Sequence, residues 1–345
     1  MMKKRHILHW AMGVVMTPLL GSCAADDVIG SAGREGCDII SGQPMTVTSA
    51  TRSADGGKSS TQFEQDEIVW LWALEENTLT EHITAWKLQA NGYGGFSSFT
   101  AGTTKYWPSD GSKLNVYALH GNFENSSSIS EGTTKWSNLS LTHTVETNQT
   151  SDNNKRLSDL LYSQTSSVAP NTGSVQLTFN HLLAKITVKL DLKNSKGINE
   201  GELANAEVKL TNILPDATIS NTLLTGNSGK TSTTGTRTTI TSGKIPSSIN
   251  SGDVIGSAIV PLQDFGGGKG TDSENNVISI TLDSPDSRSF SYKPTSSVTL
   301  TAGNEYIYTL KIINGELSVS SITVKDFTNE TTPKSWDIYV EPSGS

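Results

Sequence analysis

Apolar and polar residues alternate along most of this chain. Tyr306, Tyr308, Leu310 and Ile312 share one face of a two-residue repeat, with Thr309 and Lys311 on the other. Ile278, Ile280 and Leu282 repeat the pattern, as do Ala206, Val208 and Leu210. Apolar residues at helical i, i+3, i+4, i+7 spacing never persist beyond about two turns. Two-residue periodicity broken by Gly, Asn, Asp and Ser clusters predicts an all-β chain of antiparallel strands, as a sandwich or a barrel.

Some segments depart from simple alternation. Ile68 to Leu74 is apolar on both faces and predicts a central strand covered on two sides. Leu114 to Leu119 is predicted as another inner strand of the same domain. Between Val175 and Leu192 the phase slips: Val175, Leu177 and Phe179 are odd-numbered, whereas Leu182, Ala184, Ile186, Val188, Leu190 and Leu192 are even. A one-residue slip turns every side chain to the opposite face, so a bulge or corner is expected at Asn180-His181. Turn residues cluster just before it, and a domain boundary is expected near Pro170 to Gly173. The polar stretch Thr225 to Ser251 reads as a hairpin with a long exposed loop. Gly266 to Gly270 reads as a mobile loop without the spacing of a phosphate cradle.

The start of the chain has a different texture. Lys3, Lys4 and Arg5 precede a mostly apolar run from Ile7 to Leu20, followed by Leu20-Gly21-Ser22-Cys23. That order is a secretory signal peptide ending in a lipobox, with cleavage expected between Ser22 and Cys23 and lipidation on Cys23. The run is shorter than the roughly 20 apolar residues of a membrane span and is broken by His9 and Pro18. Several acyl chains on one cysteine anchor a protein durably where a single chain does not. Cys37 is then the sole remaining cysteine, which rules out an intramolecular disulfide and cysteine-based metal sites. It sits in a Gly/Ser-rich stretch (Gly30 to Gly42) that reads as a flexible tether.

The 345-residue chain carries a formal charge of −8; removing three basic signal-peptide residues gives −8 − 3 = −11 for the mature protein. A net acidic chain with scattered lysines has no footprint for nucleic acid. No catalytic constellation stands out. His82, His120, His143 and His181 are widely separated and form no ligand cluster. Asp66/Glu67 and Asp283/Asp286 are candidate carboxylate pairs for glycoside hydrolysis, with solvated turn acids as the plainer reading. Asp152, Asn153 and Asn154 offer oxygens for calcium but lack the other loop ligands. No enzyme and no cofactor are therefore expected. Trp70, Trp72, Trp86, Trp107 and Trp136 are the aromatic candidates for a sugar-stacking platform; Trp70, Trp72 and Trp107 lie in strand-like surroundings and read as core. Trp86 and Trp136 carry the rival reading of a glycan-binding lipoprotein.

Several segments together resemble the fimbrillin-like lipoproteins of Bacteroidetes. Thr51-Arg52-Ser53, a spacer, then Phe63-Glu64-Gln65-Asp66-Glu67-Ile68 is similar to the family's mature start. Asp159-Leu160-Leu161-Tyr162-Ser163 is similar to its "DLLYA" element. Val175-x-Leu177-x-Phe179-x-His181-x-x-Ala184-Lys185-Ile186 follows its "v.L.F.H..AKi" element. Thr301-Ala302-Gly303-Asn304-Glu305-Tyr306 and Val324-Lys325-Asp326-Phe327 resemble its closing elements, with Phe327 where tryptophan is usual. Asp26 and Asp27 resemble an acidic surface-export signal, or form a solvated spacer.

The resemblance implies two tandem transthyretin-like β-sandwiches and a role as a pilus subunit. A trypsin-like protease is then expected to cut after an Arg or Lys, removing the first strand so that a C-terminal strand of the next subunit fills the groove. Arg52 is the leading cleavage position, with Lys58 and Arg34 as alternatives, and Met45 and Val47 suit a short removable strand. Trp336, Ile338 and Val340 alternate with Asp337, Tyr339 and Glu341 as a donor strand, or as a strand that closes its own domain. The expected layout is a signal peptide over 1–22, a tether and propeptide-like segment over 23–60, and sandwiches over 61–172 and 173–345. Expected partners are other pilus subunits, the outer membrane through the lipid, and a host protein or glycan receptor. A non-polymerising anchor that keeps its lipid is the alternative within the family.

Overall fold

The structure, a computed structural model, describes residues 43–51, 63–123, 129–225, 231–268, 271–283 and 285–327. The first nine strands are β1 (Thr46–Thr51), β2 (Ile68–Glu75), β3 (Glu81–Ala90), β4 (Phe96–Ser98), β5 (Leu114–His120), β6 (Ser140–Thr144), β7 (Leu161–Val168), β8 (Ser174–Thr178) and β9 (Asn180–His181). A short helix, α1 (Asp152–Ser158), precedes β7. Six of these strands form one sheet in the order β4-β3-β2-β5-β7-β9. The doubly apolar strand β2 lies inside it, antiparallel to β3 and β5. Val69, Leu71 and Ala73 enter one core with Met45, Phe63 and Trp107. Trp72 and Leu74 enter a second core with Tyr117 and Trp136. Burial on both faces is why this strand shows no polar alternation.

β8 stands outside that sheet and pairs in parallel with β1. The phase slip marks a change of core. Val175, Leu177 and Phe179 pack in the first cluster, and Leu182, Leu183, Ala184, Ile186, Val188 and Leu190 in the second. Asn180–His181 forms the two-residue strand β9 against β7 and turns the chain between them. Residues 174–179, which the expected boundary at 172/173 assigns to the second domain, therefore pack with the first core. Turn residues at 170–173 connect β7 to β8.

The remaining elements are β10 (Ala184–Leu190), β11 (Glu207–Ile213), β12 (Asp216–Ser220), helix α2 (Asn221–Thr225), β13 (Ser232–Thr234), β14 (Thr238–Lys244), β15 (Val254–Val260) and β16 (Asp264–Gly266). The last five strands are β17 (Val277–Thr281), β18 (Ser289–Tyr292), β19 (Ser297–Thr299), β20 (Asn304–Ile313) and β21 (Glu316–Asp326). Two four-stranded sheets, β15-β10-β20-β21 and β14-β11-β17-β18, enclose the second core. β10 and β20 run parallel; the other pairs in these two sheets are antiparallel. At one side the sheets nearly touch: a Cβ on Gly243 would collide with the Ile255 carbonyl and the Gly256 backbone, so only glycine fits there.

The expected hairpin over Thr225 to Ser251 does not form. β13 pairs with β12 and β14 with β11, in different sheets, because Ile240, Ile245 and Ile249 are drawn into the core. β12 also pairs with β6 of the first half, joining Ala217 to His143 and Ile219 to Leu141. The free edge of β15 is covered by the chain before α1. There the Gln149 side chain imitates a strand: its Oε1 accepts from Ile259 N at 2.8 Å and its Nε2 donates to Ile259 O at 2.9 Å.

Candidate functional site

β1 alternates short β-branched and apolar residues, a composition suited to a half-buried strand. It is held on both edges. On one side Thr46, Val47, Thr48 and Ser49 pair with Ser174, Val175, Gln176 and Leu177. On the other side Met45 N donates to Lys105 O at 2.7 Å, Ser49 N to Gly94 O at 2.8 Å, and Trp107 N to Gln43 O at 3.2 Å. Met45 and Val47 point inward and are 3% exposed each. The turn carrying Gly94 is rigid, since Asn91 Oδ1 accepts from Tyr93 N and Gly95 N, and Gly92 and Gly94 have φ of 76° and 86°. β1 therefore fills a slot between two fixed walls. The fit is imperfect: Thr48 Oγ1, Ser49 Oγ and Trp107 Nε1 are buried without a hydrogen-bond partner among the described residues.

Beyond β1 the next described residue is Phe63, and it is an anchor. It is 1% exposed and meets Phe179, His120 and Phe96 edge-on at centroid distances of 4.9, 5.1 and 5.4 Å. The turn after it is tied down by its own acids. Glu67 Oε2 accepts from Glu64 N at 2.6 Å, Asp66 Oδ1 accepts from Gln89 Nε2 at 2.6 Å, and Glu64 pairs with Arg156 at 2.8 Å. Asp66 and Glu67, the candidate hydrolytic pair, thus serve the turn, beside a cavity of about 310 Å³.

The other motif residues converge at a junction between the two cores. His181 Nδ1 and Asp159 Oδ1 lie 2.7 Å apart, both side chains at most 1% exposed. Phe327 stacks on the His181 ring at 3.8 Å and 17°, and Lys185 Nζ lies 5.2 Å from the Phe327 centroid. Glu305 ties the strands below: Thr187 donates to it at 2.6 Å, Lys325 lies at 3.0 Å and Lys185 at 3.8 Å. Burial pushes the Glu305 carboxyl up, but Lys185, Thr187 and Lys325 outweigh it and hold the carboxyl below its ordinary value. Phe327 N donates to Gly303 O and Gly303 N to Leu183 O, so the closing and middle motifs share one hydrogen-bonded corner. Sequence reading found these residues singly; their contact is a property of the fold.

The remaining candidates make hydrogen bonds and ion pairs within the fold. His82 Nε2 and His120 Nδ1 donate to the Tyr106 and Ile68 carbonyls. His143 accepts from Asn122 N at Nδ1 and donates to Ser158 O from Nε2, and burial lowers its pKa to about 4. Asp152, Asn153 and Asn154 lie on α1, where Ser151 caps the helix by accepting from Asn154 N. Asp286 pairs with Arg288 at the surface. Among the described residues no group of three or more His, Cys, Asp or Glu is placed to hold a metal ion. Trp86 and Trp136, the candidates for sugar stacking, are each only 4% exposed. Trp86 donates to Ser98, and Trp136 stacks on Tyr117 at 4.3 Å, so neither ring face is open. Ser22, Cys23, Arg52, Trp336, Ile338 and Val340 lie outside the described residues.

Comparison with known proteins places this all-β architecture. It is similar to a candidate cell adhesion protein of Bacteroides uniformis, with 18% identity, a TM-score of 0.58, and 83% of this chain and 98% of that one covered. A candidate cell adhesion protein of Bacteroides ovatus gives 16% identity, a TM-score of 0.61 and coverage of 84% and 99%. The tip fimbrial protein Mfa3 of Porphyromonas gingivalis aligns at 11% identity over 82% of this chain and 98% of its own, with a TM-score of 0.46. No curated protein matches the sequence. The fimbrillin-like sequence pattern matches residues 51–326, and the chain belongs to that family.

Proposed function

We propose that this chain is a structural or adhesive subunit of a cell-surface pilus, exported as a lipoprotein through Cys23 and assembled by protease-triggered strand exchange. Family membership supports a role in fimbriae and adhesion, without catalysis. The observation that carries the assembly step is β1 itself: a strand seated between two backbone walls that ends at Thr51, one residue before Arg52.

Cleavage after Arg52 leaves β1 attached only by non-covalent contacts, while Phe63 keeps the new start of the chain in the core. Departure of β1 opens a slot whose walls offer backbone groups and whose floor has held Met45 and Val47. An extended segment satisfies both by β-augmentation, main-chain bonds giving affinity and alternate side chains giving fit. Trp336, Ile338 and Val340 supply that alternation, and each large side chain contributes about 1.5–3 kcal/mol when buried. Head-to-tail insertion of this kind propagates as a filament instead of closing.

The test is to treat purified precursor with a trypsin-like protease, sequence the new N-terminus and follow assembly on gels. A product starting at Ser53 that forms ladders is expected. An uncut or permanently monomeric product overturns the polymerising role and favours a lipid-retaining anchor. Glycan binding through Trp86 or Trp136 gains no support from their burial.

A further inference from the structure

We propose that Thr48 and Ser49 make β1 a weak occupant of its own slot. The slot then prefers an extended strand with apolar side chains at those two levels. The inference rests on the exchange reading for its biological meaning but on side-chain chemistry for its content.

An extended strand in this position can make the backbone bonds that β1 makes to both walls. Side chains therefore decide between occupants. A buried hydroxyl that has left water without gaining a partner disfavours the state that buries it. Thr48 and Ser49 are two such groups in adjacent positions. Neighbouring Thr46 is different, since its hydroxyl lies 2.9 Å from Ser174 Oγ at the exposed side of the strand. Some buried polar side chains elsewhere are fully matched, as with Gln149 between Ile259 N and O, and Asn276 between Gly266 N and Asn212 O, while Ser163 Oγ and Thr231 Oγ1 are single unmatched groups among the described residues and not an adjacent pair on one strand.

The inward row is Met45, Val47 and Ser49, so its third level buries a hydroxymethyl where the first two bury apolar groups. An occupant with apolar residues at i, i+2 and i+4 removes the unmade bond and adds apolar area at that level. Proline is excluded at the levels of Met45 and Ser49, whose N–H groups donate to Lys105 O and Gly94 O. The segment from Trp336 to Val340 meets the inward-row and proline conditions, with three apolar residues at alternate positions, the largely apolar ring of Tyr339 at the level of Thr48, and prolines only outside it at Pro333 and Pro342.

The experiment introduces a site for a highly specific protease between residues 52 and 62 of the full chain, nicks it, and measures how fast the N-terminal fragment departs. A urea series brings slow departures into range. Thr48→Val and Ser49→Ala are each expected to slow departure about tenfold, equivalent to about 1.4 kcal/mol. Thr46→Val, which removes a made bond, is expected to speed it or leave it unchanged. Equal or faster departure in Thr48→Val and Ser49→Ala overturns the inference. The engineered nick makes this independent of native processing. A chain that resists the trypsin-like enzyme yet shows slowed departure refutes the maturation reading alone. Normal processing with unchanged departure rates refutes the inference alone. The intact chain gives a second readout, a urea midpoint that rises in Thr48→Val.

Discussion

Two segments cover strands that would otherwise lie open, and they do it in opposite ways. β1 lies along β8 with regular parallel pairing on one side and isolated backbone bonds to loop residues on the other, but leaves two side-chain hydroxyls unmatched. The segment before α1 lies along β15 with little regular pairing. It brings one amide side chain, Gln149, that satisfies both backbone groups of Ile259 and also donates to Glu146 O at 3.1 Å. Nearby, His143 and Ser158 close the same region with every nitrogen of the imidazole engaged. An unsatisfied buried group raises the energy of the state that hides it, whereas a matched group penalises its own removal. One cover hides unmade bonds and the other makes the bonds that its strand offers.

The sharpest way to break this contrast is Gln149→Leu. It leaves the N–H and C=O of Ile259 buried without partners, and at about 1–3 kcal/mol for each orphaned group the loss should be about 4 kcal/mol. A urea midpoint that barely moves would show that the edge of β15 does not depend on the amide. Phe327→Ala removes a ring stacked on His181 and should cost about 3 kcal/mol by the same measurement. Phe327→Trp, which restores the group usual in the family, should stay within about 1 kcal/mol of the parent.

The pH dependence follows from His143. Its pKa falls to about 4 in the folded protein, from about 6.5 when exposed, because burial disfavours the imidazolium. The unfolded chain thus binds the proton first on acidification. Its stabilising contribution is complete above pH 6.5 and is lost as pH drops toward 4, amounting to about 3 kcal/mol over that window. His143→Gln should flatten this part of the stability–pH curve, and a variant with the parent's slope would show that other groups produce it. The smallest effect is Thr48→Val in the intact chain, a gain of about 1 kcal/mol in urea unfolding, opposite in sign to the other substitutions.

The strands that bury two faces or one are readable in the sequence because burial writes a period directly into the residues. Ile68 to Leu74 and the slip at Asn180-His181 are of this kind. The tryptophans are not, since Trp72 and Trp86 face different cores and an alternating pattern does not say whether its outer face is wet. β13 and β14 read as one hairpin because nothing local distinguishes a turn between partners from a crossing between sheets. The Asp159, His181 and Phe327 corner is spread over more than 160 residues, and only the fold joins it. Gln149 leaves no trace at all: a polar residue in a polar loop looks solvated until the strand it plugs is in view. The slot is half legible, its alternation visible at Met45 and Val47 but its second wall, at residues 94 and 105–107, supplied by distant loops.

The parallel course of β1 and β8 also carries a mechanical meaning. With the β8 ladder on one flank and isolated loop bonds on the other, tension applied along the axis of a strand in that slot is shared by bonds on both sides instead of peeling them one by one. An occupant seated there resists a steady pull far better than a strand laid on an open rim.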